Sequence, residues 1–341
     1  MEQAEHGFAM VLEALDEPAL LVSGGVVRLV NGRAKTLFGA GIEGSDVRLV
    51  LRQPQVLDQL LAEQAGDLEI SGIGGFERPW TVVIRPVGDS QILVRLVDRA
   101  ATVVAEKMRT DFVANASHEL RTPLATLVGY AETLREQGAA IDGDTQGKFV
   151  GIIHDEAKRM QRLVEDLISL SRIEGQRFSP PNDPVDVGLL VREAASNWRA
   201  LAEERSTQLK LETSNALPAT RGDRNQLLQL LDNLISNALR YGRSGTTVTV
   251  GMTAEASMIR LTVSDQGEGI AAKHIPRLTE RFYRVDKARS RDSGGTGLGL
   301  AIVKHVVERH RGRMEIRSDV GRGTDVHVLL PIAEQTEANS E

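Results

Sequence analysis

Between residues 101 and 173, apolar residues recur at steps of three and four along two long stretches, and no other feature restricts the fold as much. In the first stretch Met108, Phe112, Ala116, Leu120, Leu124, Leu127, Ala131 and Leu134 form one stripe. In the second, Phe149, Ile152, Ile153, Met160, Leu163, Val164, Leu167 and Leu170 do the same. Steps of this size return to one face of a helix, so both stretches predict amphipathic helices. The polar break at 137–147, with its three glycines, predicts a short connection and an antiparallel hairpin. A lone hairpin cannot bury both stripes, so two chains are expected to pair into a homodimer through a four-helix bundle.

The chain has 341 residues, 41% hydrophobic and 26% charged, which leaves room for two or three domains. A formal net charge of -6 with no basic run argues against nucleic-acid binding. The absence of cysteine excludes disulfides, thiolate metal sites and a cysteine nucleophile. No window approaches the roughly 20 apolar residues of a membrane span, and the N-terminus lacks the basic start and apolar core of a secretion signal. The expectation is no membrane segment and a cytoplasmic chain, or the cytosolic part of a longer anchored protein.

Residues 1–100 read as a small α/β module. A helical pattern at 8–15 precedes strands at 19–23 and 26–30, joined by Gly24-Gly25, a dipeptide suited to a tight hairpin. Asn31 leads into a short helix ending at Phe38-Gly39, and strands follow at 80–86 and 91–97 with a turn at 87–90. This order, with Asn31 after the second strand and the closing Leu96-Val97-Asp98, resembles a PAS domain. No cysteine is present for a flavin adduct and only His6 lies nearby, so a dimerising spacer with a filled core stands beside a ligand sensor. Helical hairpin 101–175, linker 176–184, a third α/β domain at 185–333 and a polar tail at 334–341 complete the division.

Within the first long helix stands Ser117-His118-Glu119-Leu120-Arg121-Thr122-Pro123. At about 100° per residue His118 falls roughly opposite the apolar stripe and should face water, with Thr122 beside it and Glu119 near the stripe's edge. An imidazole with a reference pKa of about 6.5 is largely neutral at pH 7, so one ring nitrogen can attack an electrophile. Glu119 is placed to accept the other N–H. Pro123 has no N–H for the carbonyl of Glu119, so the helix should loosen there. His154, His274, His305, His310 and His327 read as structural or plain surface residues.

Downstream, Asp223 suits the N-cap of a helix with Leu227, Leu231, Leu234, Ile235 and Ala238 on its apolar face and Asn233, Asn237 and Arg240 on its polar one. Asp265-Gln266-Gly267-Glu268-Gly269 follows an apolar strand; its carboxylate can accept from an exocyclic amino group, and its glycines permit close backbone approach. Arg281-Phe282-Tyr283-Arg284 opens a polar stretch with the composition of a mobile lid, to residue 293. Gly295-Thr296-Gly297-Leu298-Gly299 then starts a helical pattern, where backbone N–H groups favour phosphate.

Residues 112–134 resemble the H box of bacterial two-component sensor histidine kinases. The four later segments, in order, resemble the N, G1, F and G2 boxes of the GHKL (Bergerat) ATP domain. The resemblance implies a multidomain α+β chain: a PAS-like α/β domain, an antiparallel helical hairpin forming a dimeric four-helix bundle, and a C-terminal Bergerat-type α/β sandwich. By this resemblance His118 is the phosphoacceptor, Glu119 assists phosphotransfer and Thr122 orients water for dephosphorylating the partner. Asn233 belongs to the ATP site, Asn237 ligates Mg²⁺, Arg240 contacts phosphate, and Tyr241 lines the adenine side. Asp265 holds the adenine amino group. Gly267, Gly269, Gly295, Thr296, Gly297, Leu298 and Gly299 shape the pocket and lid, Phe282 anchors the lid with Arg284 beside it, and Thr324 is a pocket threonine. The implied cofactors are ATP and Mg²⁺, and the implied partner is the receiver domain of a response regulator. A GHKL ATPase would carry a glutamate base where Asn233 stands, and an amide cannot take a proton from water, so transfer to His118 is preferred over hydrolysis. A scaffold with a degenerate pocket ranks well below the kinase, because every box carries the residue types the chemistry needs.

Overall fold

The computed structural model describes residues 2–73, 78–88, 90–176, 179–213, 217–286 and 295–333. Its contacts divide the chain into two units, Met1–Ala114 and Asn115–Glu341. The lid stretch falls mostly at 287–294, and that part lies outside the described residues, as does the tail from 334.

In the first unit α1 (Glu2–Glu13) precedes β1 (Ala19–Ser23) and β2 (Val26–Val30), paired antiparallel. Gly24 and Gly25 take φ of 59° and 76° between them, the left-handed pair that a tight hairpin demands. Asn31 caps α2 (Gly32–Phe38): its Oδ1 accepts from the N–H of Ala34 and of Ala19, and its Nδ2 donates to the carbonyls of Leu12, Leu15 and Glu17. A buried amide so fully satisfied ties the end of α1 to the sheet and is structural. Three elements escape the sequence reading: α3 (Val47–Val50), α4 (Pro54–Leu61) and β3 (Gly66–Ser71). With β4 (Pro79–Gly88) and β5 (Gln91–Asp98), β3 completes a five-stranded antiparallel sheet in the order β2-β1-β5-β4-β3. Leu20, Val22, Leu51, Val56, Leu60, Val82, Ile84, Val94 and Leu96 fill the core. Trp80 joins them, its Nε1–H satisfied by the Ile73 carbonyl at 2.8 Å.

Helix α5 (Ala100–Gln137) crosses the boundary between the units, and α6 (Gly143–Gly175) follows after a single 3₁₀ turn, Gly138–Ala140. The connection is therefore shorter than the 137–147 break. Asp142 caps α6 by accepting from the N–H and hydroxyl of Thr145, which draws Gly143 and Gly147 into the helix. Pro123 is buried, and α5 continues through it as one helix, so the expected loosening does not amount to a break. The apolar stripe divides. Phe112, Ala116, Leu120 and Leu127 are half-buried, whereas Leu124 is 51% exposed.

The rest of the second unit is an α/β sandwich. Short β6 (Pro184–Val185) and β8 (Thr220–Arg221) pair with each other; α7 (Val187–Asn197) and α8 (Arg199–Glu204) follow β6 in succession, and α9 (Arg224–Tyr241) follows β8. Strands β7 (Gln208–Thr213), β9 (Thr247–Glu255), β10 (Met258–Asp265), β11 (Arg313–Asp319) and β12 (Gly323–Pro331) form a second five-stranded sheet in the order β11-β12-β10-β9-β7. Only β7 and β9 pair in parallel within it. Leu227, Leu230, Leu231, Leu234 and Ile235 of α9 pack beside Ile302, Val303 and Val306 of α10 (Gly299–Arg309) and over Val250, Leu261 and Val263 of the sheet. Helix α10 also packs on α6, whose Leu163, Leu170 and Ile173 are buried.

Candidate nucleotide and phosphoacceptor site

His118 is exposed on α5, as its place on the helix wheel predicts. Thr122, one turn on, donates from Oγ1 to the His118 carbonyl at 3.4 Å and is exposed beside it. The Glu119 carboxylate faces Arg159 of α6, at 3.6 Å, and Arg284, at 3.9 Å. Both guanidiniums are largely buried, 12% and 7% exposed, so a carboxylate opposite them neutralises charge where water cannot. Arg159 also meets Glu156 at 3.5 Å. Glu119 thus joins the hairpin to the Arg284 segment. Sequence reasoning missed Arg159, whose only signal was its position between apolar positions of α6.

On α9 the Asp223 carboxylate accepts from the N–H of Asn225 and Gln226, fixing the helix start as predicted. Asn233 donates to the Gln229 carbonyl at 2.9 Å, and its Oδ1 lies where a Cβ on Gly299 would stand, 2.7 Å from it. This close approach brings the N box and the G2 box together, and a side chain at 299 would displace the Asn233 amide. Asn237, one turn beyond Asn233, is half-buried. Tyr241 ends the helix at 49% exposure.

Asp265 closes β10, its carboxylate accepting from the Gly267 N–H at 2.7 Å and from the Thr324 backbone opposite it on β12. Burial pushes its pKa above the ordinary carboxylate range despite these donors. The glycines here permit close backbone approach, as expected, and what approaches is the protein's own backbone. A Cβ on Gly269, at φ 69°, would stand 1.9 Å from the Asp319 carbonyl, and one on Gly267 would stand 2.5 Å from that of Tyr241. They let one backbone pass against another, shaping the pocket wall. Ser318, also missed, accepts from the Ile270 N–H at 2.8 Å and bonds Thr324 Oγ1 at 2.8 Å, joining the G1 loop to β11 and β12.

Phe282 takes a positive φ of 62° and donates its N–H to the Gly297 carbonyl at 2.9 Å. Gly297, at φ 73°, would place a Cβ 3.0 Å from the Phe282 Cα. The F and G2 boxes thus abut, with Gly295 half-buried and Leu298 fully buried just before α10. Thr296 donates to Asp166 Oδ2 of α6 at 2.7 Å. Glu174, at the end of α6, pairs with Arg281 and, at 3.3 Å, with His305. Burial is the main cause that raises the Asp166 pKa and lowers that of Arg240, which also feels Arg162.

Of the other histidines, His154 is exposed, His274 meets the Tyr283 hydroxyl at 2.6 Å, His327 meets Thr262 at 3.0 Å, and His310 is buried. All fit the structural or surface reading. Among the described residues no group of three or more His, Asp or Glu could hold a metal. One half-buried amide, Asn237, fits an octahedral Mg²⁺ that draws its remaining ligands from phosphates and water. Among the described residues no helix is long and apolar enough to cross a membrane.

Residues 108–176 match the family described as the His Kinase A (phospho-acceptor) domain, and 222–334 match the histidine kinase-, DNA gyrase B- and HSP90-like ATPases. The phosphate regulon sensor protein PhoR of Pseudomonas aeruginosa is 39% identical over 247 residues, 72% of this chain and 55% of that protein. The sensor-like histidine kinase SenX3 of Mycolicibacterium smegmatis is 39% identical over 251 residues, 73% of this chain and 64% of that one. The chain therefore spans between half and two thirds of the length of these relatives. A solved complex of the histidine kinase ThkA with the response regulator protein TrrA aligns over 94% of this chain and 97% of that one, with a TM-score of 0.52. At 18% identity it shows a shared fold alone.

Proposed function

The chain belongs to the bacterial two-component sensor histidine kinases, and on that premise we propose that it phosphorylates His118 from ATP and passes the phosphoryl group to an aspartate on a response regulator. The observation that carries this reading is the approach of Arg284, beside the nucleotide boxes, to Glu119, the neighbour of an exposed His118.

His118 presents a ring nitrogen to solvent on a rigid helix. Attack forms an N–P bond as the bond between the γ-phosphorus and the bridging oxygen breaks, and ADP departs. Catalysis of this kind is mostly positioning and charge neutralisation. Asp265 orients the base, Arg240 and the turn at 295–299 face the phosphates, and Glu119 with Arg284 aligns the two elements. Mg²⁺ on Asn237 would supply phosphate charge neutralisation. The second transfer moves the phosphoryl group from nitrogen to a carboxylate oxygen. The ThkA complex, in which a kinase of this fold holds its regulator, favours a receiver domain as partner. Two chains pair through the exposed apolar residues of α5 and α6, and the N-terminal unit is read as a PAS-like sensor.

Incubation with γ-labelled ATP tests this. Wild type should gain acid-labile label that His118→Gln abolishes and Asn237→Ala reduces at least tenfold; equal labelling of all three would refute the assignment. Thr122→Ala should keep autophosphorylation and lose dephosphorylation of the phosphorylated regulator, and loss of both would contradict separate roles.

A further inference from the structure

Asp166 lies on α6, and a functional reading of the hairpin alone gives it nothing to do. In the fold its Oδ2 accepts a hydrogen bond from the Thr296 hydroxyl at 2.7 Å, across 130 residues of sequence. Thr296 Oγ1 in turn accepts from the Leu298 N–H at 3.3 Å, at the start of α10. Burial raises the Asp166 pKa, and against it the Thr296 hydrogen bond and then, more weakly, the charges of Arg162 and Arg240 favour the carboxylate. A carboxylate held by the hydroxyl of a glycine-rich turn at a helix start is placed where phosphate chemistry belongs. Thr296, Arg240 and the 295–299 turn are also the groups assigned above to the nucleotide's phosphates.

We propose that Asp166 is an intrachain stand-in for nucleotide phosphate, holding the ATP domain on α6 by occupying the Thr296 hydroxyl until phosphate displaces it. This rests on reading the pocket as an adenine-nucleotide site. The docked arrangement has other supports: Ser169 donates to Gln229 at 2.6 Å, Glu174 holds Arg281 and His305, and Arg309 Nε reaches the Gln176 carbonyl at 3.4 Å. Competition links the hairpin to the pocket in both directions. Phosphate loosens the grip of α6, and any motion of α6 that withdraws Asp166 raises nucleotide affinity, because coupling between two sites is reciprocal.

Calorimetric titration of the full chain tests this with ADP, a non-hydrolysable ATP analogue and adenosine, in wild type, Asp166→Asn, Asp166→Ala and Ser169→Ala. Removing the Asp166 charge should tighten both phosphorylated ligands roughly tenfold, near the low end of typical couplings, and leave adenosine unchanged. Ser169→Ala, which loosens the dock away from the phosphates, should shift the phosphorylated ligands in the same direction by less. Unchanged or weaker phosphorylated-ligand binding in both Asp166 variants, or an equal gain for adenosine, would overturn the proposal. Absence of binding in every chain, wild type included, would overturn the nucleotide reading and the proposal with it, whereas equal affinities in all four would overturn the proposal alone.

Discussion

The backbone N–H of Asp223 donates to Nε2 of His310 at 3.0 Å, while Nδ1 of the same ring meets the Val306 carbonyl at 2.7 Å. A carbonyl only accepts, so Nδ1 carries the proton and Nε2 the lone pair, and the ring is neutral. It joins the last turn of α10 to the first turn of α9, the helix that carries Asn233 and Asn237.

Burial holds the His310 pKa below its ordinary value. Protonation would remove the acceptor facing Asp223, so the unfolded chain takes the proton more readily. Stability from this group is complete above the unfolded pKa of about 6.5 and is lost as pH falls below it, at about 1.4 kcal/mol per unit of depression. His305, also lowered chiefly by burial, acts in the same sense. Urea midpoints at pH 7.5 and 5.5 should fall for wild type and fall less for His310→Gln. Equal slopes would show that the ring does not titrate with unfolding.

Gly269 and Gly321 share left-handed backbone but differ in what surrounds them. A methyl group on Gly269 would meet the Asp319 carbonyl at 1.9 Å, whereas one on Gly321, at φ 87°, meets nothing within 4 Å. Gly269→Ala should cost about 2–4 kcal/mol, from left-handed strain plus overpacking against rigid backbone. Gly321→Ala should cost about 1–2 kcal/mol, the strain alone. Chemical denaturation of the two variants checks the ordering, which similar losses would contradict.

That contrast also marks what sequence could disclose. Local patterns were legible: Gly24-Gly25 forced one hairpin, the Asp223 cap and the Leu227–Ile235 face fixed α9, and the His118 wheel position predicted its exposure. What escaped was long-range. Asp166 reads as a polar position on an amphipathic helix until Thr296 arrives from 130 residues away. Glu119 was judged by its sequence neighbour His118, yet its partners come from α6 and from the Arg284 segment. Helix α3 is only four residues, too short to carry a period, and in α4 only Pro54 at the first turn gave a start signal.

Asp265 tests the base-binding end of the pocket independently of the phosphates. Asn in its place keeps one oxygen for the Gly267 N–H but puts an NH₂ where the second carboxylate oxygen stood. The fold should hold, since a neutral amide avoids the burial penalty that raises the Asp265 pKa. ATP and adenosine should both bind about tenfold to a hundredfold more weakly, as expected for a lost hydrogen bond to a charged group. A fluorescent-nucleotide titration reads this, and undiminished affinity would remove Asp265 from the site.

Leu124 and Val128 on α5, with Val164 and Ile168 on α6, are each between 41% and 55% exposed in the single chain. On each helix the two stand four residues apart, so they share a face. Apolar side chains aligned along two neighbouring helices call for a second hairpin, which would complete a four-helix core. The double substitution Leu124→Glu, Ile168→Glu would bury unpaired carboxylates in that core, while in a separate chain both positions remain in water. Sedimentation should therefore give wild type at twice 37.1 kDa and the double variant at 37.1 kDa. Nucleotide affinity should be kept, because both positions lie on the exposed face of the hairpin. A double variant that still sediments as a dimer would place the dimer contact elsewhere.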